Sequence, residues 1–326
     1  MQLNRRSVVA GLAGIALLPV RANTAEKQAE TIIIATGSPG GVYYPYGQGL
    51  AALLTKDVGV TFAAQATQGP SQNVRLVDQR DATIGMTTMG VALAGWNGTD
   101  WAAGTKHRSM RALFPMYDTP FQFAAPKRLH LGSPGGFAGK RIGAGPKAAT
   151  GGVYFPEMFK TLDIPALFRY GAWQELFEHT ASGDLDGMAV TLAAPSPELT
   201  ALDAKEPLDF LQFSPEQIAQ IRARFPELSP SVIPAGAYPS LQADYHTLGL
   251  YNFAIINRDA ADDLAYRIVK AVFEHHDEMV AIHPAAKETL APNLDRDTFL
   301  PLHPGAGRYY REAGIAIPGN LLDTTN

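Results

Sequence analysis

Short apolar runs alternate with amphipathic segments along the chain, and this order is typical of βα units. Residues 31–35 are apolar and β-branched, which predicts a buried parallel strand. After a glycine-rich turn, Leu50, Leu53 and Leu54 recur at helical spacing. The same criteria predict further strands at 58–65, 82–87, 110–117, 119–124, 141–144, 188–191 and 249–256, and helices at 173–179 and 261–275. Segment 196–247 is expected to be helical and irregular.

One glycine-rich pattern occurs twice, each time between a predicted strand and a predicted helix. Gly40-Gly41-Val42-Tyr43-Tyr44-Pro45 is matched by Gly151-Gly152-Val153-Tyr154-Phe155-Pro156. Glycine lets a backbone approach a ligand closely, and the first N–H groups of a helix have no partner within it. The helix dipole also favours a negative charge at that end. Unless the repeat is a coincidence among 31 glycines, we expect two similar lobes facing one small anion.

The carboxyl ends of the predicted strands indicate where a ligand would bind. In open α/β sheets, ligands bind outside the carboxyl ends of the strands, so the loops at 37–43, 68–73 and 87–89 should converge. The second glycine loop and the strand end at Thr191 should face them across a cleft. The predicted ligand-binding residues are Ser38, Gly40, Gly41, Val42, Tyr43, Gln68, Ser71, Thr87, Thr88, Thr150, Gly151, Gly152 and Thr191.

The composition indicates a folded globular protein. The 326 residues are 46% hydrophobic and 18% charged, which is enough for two globular lobes. The net charge of −4 and the absence of a basic cluster argue against a nucleic-acid partner. The chain contains no cysteine, which excludes disulfides, thiolate metal sites and a cysteine nucleophile.

The N-terminus has the pattern of an export signal. Arg5 and Arg6 precede a short apolar run at 8–18, which is too short to span a bilayer. Small residues at 22–25 offer cleavage sites, so we expect residues 1–25 to be removed and the mature protein to be periplasmic. The arginine pair also resembles a twin-arginine signal, and both export routes stay open.

Motifs for catalysis do not assemble. The first glycine loop lacks the spacing of a phosphate-binding or dinucleotide-binding loop, and no G-x-S-x-G or H-E-x-x-H motif occurs. His275 and His276 are adjacent and would point to different sides of a helix. We therefore expect no enzymatic activity, no metal site and no cofactor.

Four segments together resemble the TAXI family, the solute receptors of one class of TRAP transporters. They are ATGSPGGVYYP at 35–45, TQGPSQNVRL at 67–76 with DATIG at 81–85, FAGKRIGAG at 137–145 and PLHPGAGRYY at 301–310. The resemblance extends from about residue 30 to 318. It implies a two-lobed α/β fold of the type II periplasmic binding kind, with both glycine loops lining the cleft.

The resemblance also implies a ligand and a partner. The ligand would be a small organic anion, glutamate-like or a C4/C5 oxo- or dicarboxylate, and the partner would be a TRAP-type membrane permease. We expect a monomer with lobe I at 26–120 and 249–326, and lobe II at 121–248. Two alternatives stay open: a periplasmic ligand sensor for a signalling partner, and an enzyme on the same scaffold.

Overall fold

The computed structural model describes residues 31–296 and 298–322 as an α/β protein with two mixed sheets. The predicted export signal at 1–25 lies outside the described residues. In the described part of the chain, no helix has the length and apolarity needed to cross a membrane. The strands are β1 (Ile32–Ala35), β2 (Phe62–Gln65), β3 (Ile84–Thr88), β4 (Met110–Pro120), β5 (Gln122–Pro126), β6 (Arg141–Gly143), β7 (Leu167–Arg169), β8 (Gly187–Val190), β9 (Leu208–Phe210), β10 (Ser229–Ile233) and β11 (Tyr245–Asn257).

Within residues 31–296 and 298–322, ten α-helices connect and flank these strands. They are α1 (Tyr43–Val58), α2 (Pro70–Gln79), α3 (Met89–Asn97), α4 (Thr150–Thr161), α5 (Trp173–Ser182), α6 (Pro197–Lys205), α7 (Pro215–Arg224), α8 (Asp262–Glu274), α9 (His276–Ile282) and α10 (Pro304–Glu312). Most of the predicted elements are confirmed at or near their expected positions. The strand predicted at 58–65 is shorter, because α1 continues to Val58 and ends at Gly59, whose φ of 72° is left-handed. The segment 196–247 is less irregular than expected, since it contains β9 and β10.

The two sheets share one arrangement. In the first, β1 lies between β2 and β3, all parallel, and β11 runs antiparallel beside β3. In the second, β6 lies between β7 and β8, all parallel, and β5 runs antiparallel beside β8. The two glycine loops therefore follow equivalent central strands, as the sequence repeat predicts. The remaining strands are β4 and β10, which pair with β11, and β9, which pairs with β5.

The chain passes from the first sheet to the second directly after β4. After β4 ends in the first sheet, only Phe121 separates it from β5 in the second. Phe121 donates its N–H to the carbonyl of Leu248 in β11, and Thr247 Oγ1 donates to the carbonyl of Phe121. These two hydrogen bonds tie the crossing at Phe121 to β11. The lobe boundaries at 120/121 and 248/249 stay a prediction. The strand β10 lies in the segment predicted for lobe II, but it pairs with β11 of the first sheet.

The two copies of the repeat start their helices at different places. Gly40 has a φ of 82°, a left-handed conformation that ends any helical run, so α1 starts three residues later at Tyr43. In the second copy the left-handed glycine is Gly145, and α4 already starts at Thr150. Gly151 is therefore the second residue of a helix, whereas its counterpart Gly40 lies in a loop.

Candidate functional site

A small cavity lies between the lobes, at the carboxyl ends of the parallel strands. Its volume is about 40 Å³. A buried water needs roughly 10–15 Å³ of such space, so the cavity holds about three waters as it stands. Its wall consists of Gly37, Ser38, Gly41, Val42, Tyr43, Gln68, Gly69, Pro70, Tyr117, Thr119, Pro146, Ala149, Thr150, Trp173, Thr191, Leu192 and Asn252.

The structure brings about half of the sequence-predicted residues to this wall. They come from the first glycine loop, the loop after β2, the start of α4 and the end of β8: Ser38, Gly41, Val42, Tyr43, Gln68, Thr150 and Thr191. The others lie beside the wall rather than in it: Gly40, Ser71, Thr87, Thr88, Gly151 and Gly152.

Gly151 and Gly152 lie outside the wall because α4 starts before them. A Cβ placed on Gly151 would lie 2.5 Å from Phe155 Cε2, and one on Gly152 would lie 2.3 Å from the carbonyl oxygen of Lys147. Both glycines thus allow close packing within lobe II. The N–H of Gly151 donates to Thr191 Oγ1 at 3.2 Å, which fixes Thr191 at the cavity.

Ser71, Thr88 and Gly40 form contacts between the lobes. Ser71 donates both its N–H (3.2 Å) and its hydroxyl (3.1 Å) to the carbonyl of Ala148. Thr88 Oγ1 lies 3.1 Å from Thr150 Oγ1. A Cβ on Gly40 would lie 3.4 Å from the backbone nitrogen of Gln174 in α5. These contacts hold the cleft closed around the cavity. Thr87 is buried in β3, and its hydroxyl donates to the carbonyl of Thr88.

The sequence reasoning missed the polar floor of the cavity. Tyr43 donates to Asn252 Oδ1 at 2.5 Å, and the amide of Asn252 donates to Thr119 Oγ1 at 2.6 Å and to the carbonyl of Tyr117 at 2.7 Å. Asn252 is fully buried in β11. Its only signal in the sequence is a single amide inside an apolar strand, which a structural role would explain equally well.

Four helices begin at the cavity, and none of them has a side-chain cap. Their first residues are Tyr43, Pro70, Thr150 and Trp173. Outside the cavity wall, α3, α8 and α9 also lack a side-chain cap, whereas α6, α7 and α10 are capped by Ser196, Ser214 and His303. Two first-turn N–H groups already have acceptors, since Ser71 donates to the carbonyl of Ala148 and Gly151 donates to Thr191 Oγ1. The helix dipoles and the remaining first-turn N–H groups favour a negative acceptor in the cavity.

Side chains add donors and no formal charge. Among the described residues, none that lines the cavity is an acid, a lysine, an arginine or a histidine. Burial raises the pKa of Tyr43 and of Tyr117 well above the usual value, so both hydroxyls stay protonated. A negative ligand would therefore meet neutral donors and helix termini rather than a salt bridge.

Ser38 is the clearest unsatisfied group of the wall. It is 8% exposed, and its hydroxyl has no hydrogen-bond partner among the described residues. Buried polar side chains are usually hydrogen-bonded, and an unpaired one calls for an explanation. A ligand in the cavity would supply the missing partner.

The described residues hold no group of three or more histidines and carboxylates able to bind a metal ion. The hydroxyls of Ser38, Thr150 and Thr191 have no histidine or carboxylate beside them at the cavity wall in the described part of the chain. The arrangement can hold a small anion by hydrogen bonds.

Solved structures of binding proteins resemble this fold. MatC from Rhodopseudomonas palustris with bound malate is 10% identical, with a TM-score of 0.57 over 87% of this chain and 96% of MatC. The periplasmic binding protein BugD is 10% identical, with a TM-score of 0.54 over 87% of this chain and 98% of BugD. A putative L-cystine ABC transporter protein from Listeria monocytogenes is 11% identical, with a TM-score of 0.51 over 83% and 100%. At these identities the likeness concerns the fold.

A family model describes the sequence itself. The model of the NMT1-like family matches residues 34–314, which include both glycine loops and both sheets. The chain therefore belongs to the NMT1-like family and has the type II fold of periplasmic solute-binding proteins.

Proposed function

We propose that this protein is a periplasmic solute receptor of the TAXI type, which captures a small organic anion for a TRAP-type membrane transporter. The observation that carries the proposal is the convergence of four helix N-termini and the unpaired hydroxyl of Ser38 on one cavity between two lobes. Each such terminus favours a nearby anion by about 0.3–2 kcal/mol. Each hydrogen bond to a charged group adds about 1.5–3 kcal/mol, so together they suffice for micromolar or tighter binding.

The wall chemistry favours one of the two ligand classes that the resemblance implies. An amino acid such as glutamate carries an ammonium group, which needs acceptors or a carboxylate. Among the described residues, no carboxylate lines the cavity. We therefore favour an oxo-, hydroxy- or dicarboxylic acid of four or five carbons. The malate bound to MatC is of this class, which supports the choice.

The present cavity holds about three waters, which is less than a four-carbon acid needs. Entry and full seating of such an acid require the lobes to separate and close again. The crossing at Phe121 and Leu248 is where such a hinge motion would be absorbed. Export to the periplasm and a role without catalysis belong to the same proposal, and they agree with the binding-protein fold.

Matched ligand pairs test the proposal by calorimetric titration. Malate and aspartate share a carbon skeleton, but malate carries a hydroxyl group where aspartate carries an ammonium group. 2-Oxoglutarate and glutamate form a second pair. We expect the acid without an ammonium group to bind at least tenfold more tightly in one pair and to be recovered unchanged. Tighter binding of the amino acid in both pairs would contradict the proposed ligand class. Conversion of a ligand at catalytic rates would contradict the receptor role.

The transporter partner needs a separate experiment. Proteoliposomes that contain a TRAP-type permease should take up the labelled acid only when this protein is added outside. Uptake that is equal without it would argue for the sensor alternative, in which the ligand is bound and not passed on.

A further inference from the structure

We infer that Trp173 limits the length of the bound acid and donates a hydrogen bond to it. The inference rests on the proposed function and adds a residue from lobe II that the glycine repeat does not include. Trp173 is the first residue of α5, lines the cavity and is 3% exposed. It packs against both lobes.

Two glycines leave the space that the indole ring of Trp173 occupies. A Cβ placed on Gly145, in the loop after β6, would lie 2.3 Å from Trp173 Cζ2. A Cβ on Gly41, in the first glycine loop, would lie 3.3 Å from Trp173 Cδ1. Gly145 also has a φ of 72°, which disfavours any other residue. The ring is therefore held between the lobes and cannot rotate away without opening the cleft.

The indole N–H of Trp173 has no acceptor among the described residues. Trp101 provides the contrast, because its Nε1 donates to the carbonyl of Val91 at 3.0 Å. Buried tryptophans usually satisfy this donor. Trp173 Nε1 would lie 3.5 Å from a Cβ on Gly41, at the same end of the cavity as Ser38. The unpaired hydroxyl of Ser38 and the indole N–H thus form a donor pair for one carboxylate.

The ring also forms a wall that a longer ligand would strike. Leu192, Tyr43 and Asn252 also line the cavity, and hydrogen bonds hold Tyr43 to Asn252 and Asn252 to Thr119. The indole is held only by packing, and replacing it with a smaller side chain extends the cavity along the Gly41–Gly145 direction.

A chain-length series separates the two roles. Titrations of oxalate, malonate, succinate, glutarate and adipate into the wild type give a preferred length. Trp173→Phe keeps an aromatic ring and removes the N–H, so we expect about 10-fold or greater weakening at the same preferred length. Trp173→Ala should shift the preference to an acid at least one methylene longer. Trp101→Phe, away from the cavity wall, is the control and should change neither quantity.

The outcomes are distinguishable. A wild type that binds none of the acids contradicts the proposed function and, with it, this inference. A wild type that binds, with both Trp173 variants folded by circular dichroism and unchanged in affinity and preferred length, contradicts the inference alone. Should Trp173→Ala not fold, Trp173→Phe decides, since unchanged affinity in that variant would overturn the hydrogen-bond role.

Discussion

Replacing Ser38 with alanine should act on stability and on binding in opposite directions. The Ser38 hydroxyl is buried, lines the cavity and has no partner among the described residues. In the ligand-free protein only water in the cavity can satisfy it. Ser38→Ala removes the unpaired hydroxyl and leaves the backbone of the glycine loop intact. We therefore expect the free protein to be as stable as the wild type or more stable.

The magnitudes follow from the burial of the hydroxyl. An unsatisfied buried polar group costs about 1–3 kcal/mol, part of which cavity water relieves, so the gain in unfolding free energy should be about 0–2 kcal/mol. A hydrogen bond from a hydroxyl to a carboxylate is worth about 1.5–3 kcal/mol. Its loss weakens binding by about 10- to 150-fold.

The assay combines urea unfolding of the free protein with calorimetric titration of the acid that the wild type binds best. Ser71→Ala is the matched control, because the Ser71 hydroxyl already donates to Ala148. That variant should lose about 0.5–1.5 kcal/mol, the usual net value of such a bond. Destabilisation of Ser38→Ala by more than about 1 kcal/mol would refute the reasoning on stability. Unchanged affinity would show that the hydroxyl does not face the ligand.

Three further predictions concern the first glycine loop, the β4 edge and the N-terminus. Gly41→Val places side-chain atoms against Trp173 and the carbonyl of Ser38, so titration should show about tenfold or greater weakening, whereas Gly319→Val, in open space, should bind normally. Burial raises the pKa of Asp118 to about 6, so its contribution to stability is greatest below pH 3.8 and is lost as the pH rises through 6. At pH 7.5 the free energy of unfolding of Asp118→Asn, measured with urea, should therefore exceed that of the wild type by about 1–3 kcal/mol. At pH 4 the two proteins should be equally stable, and an equal gain in stability at both pH values would contradict the assigned pKa. Edman sequencing of the exported protein should start at residues 23–26, and an intact N-terminal methionine would contradict the export signal.

The central strands and the first glycine loop could be predicted from the sequence. Short apolar β-branched runs such as Ile32–Ala35 are typical of buried parallel strands, and a glycine turn after such a strand favours a helix N-terminus that faces a ligand. These are local properties, which depend on a few neighbouring residues. The repeat further predicted two lobes of the same arrangement, and the sheets confirm it.

The exact residues at the cavity depended on contacts that the sequence does not contain. Gly151 is followed by the same Gly-Val-Tyr sequence as Gly40, yet it lies inside α4, because the left-handed residue of its loop is Gly145 and the helix starts earlier. We now expect Gly151→Val to destabilise lobe II through Phe155 rather than to block a ligand.

The sequence by itself determined the βα units, their order and the direction in which the helix N-termini point. Only the tertiary structure decided that Trp173 and Asn252 meet the first glycine loop. These two residues lie far apart in the chain. Trp173 looks like an ordinary buried aromatic residue, and a single asparagine inside an apolar strand is explained equally well by a structural role. Closure of the two lobes places them on one cavity, and closure is set by packing across the cleft rather than by any local pattern.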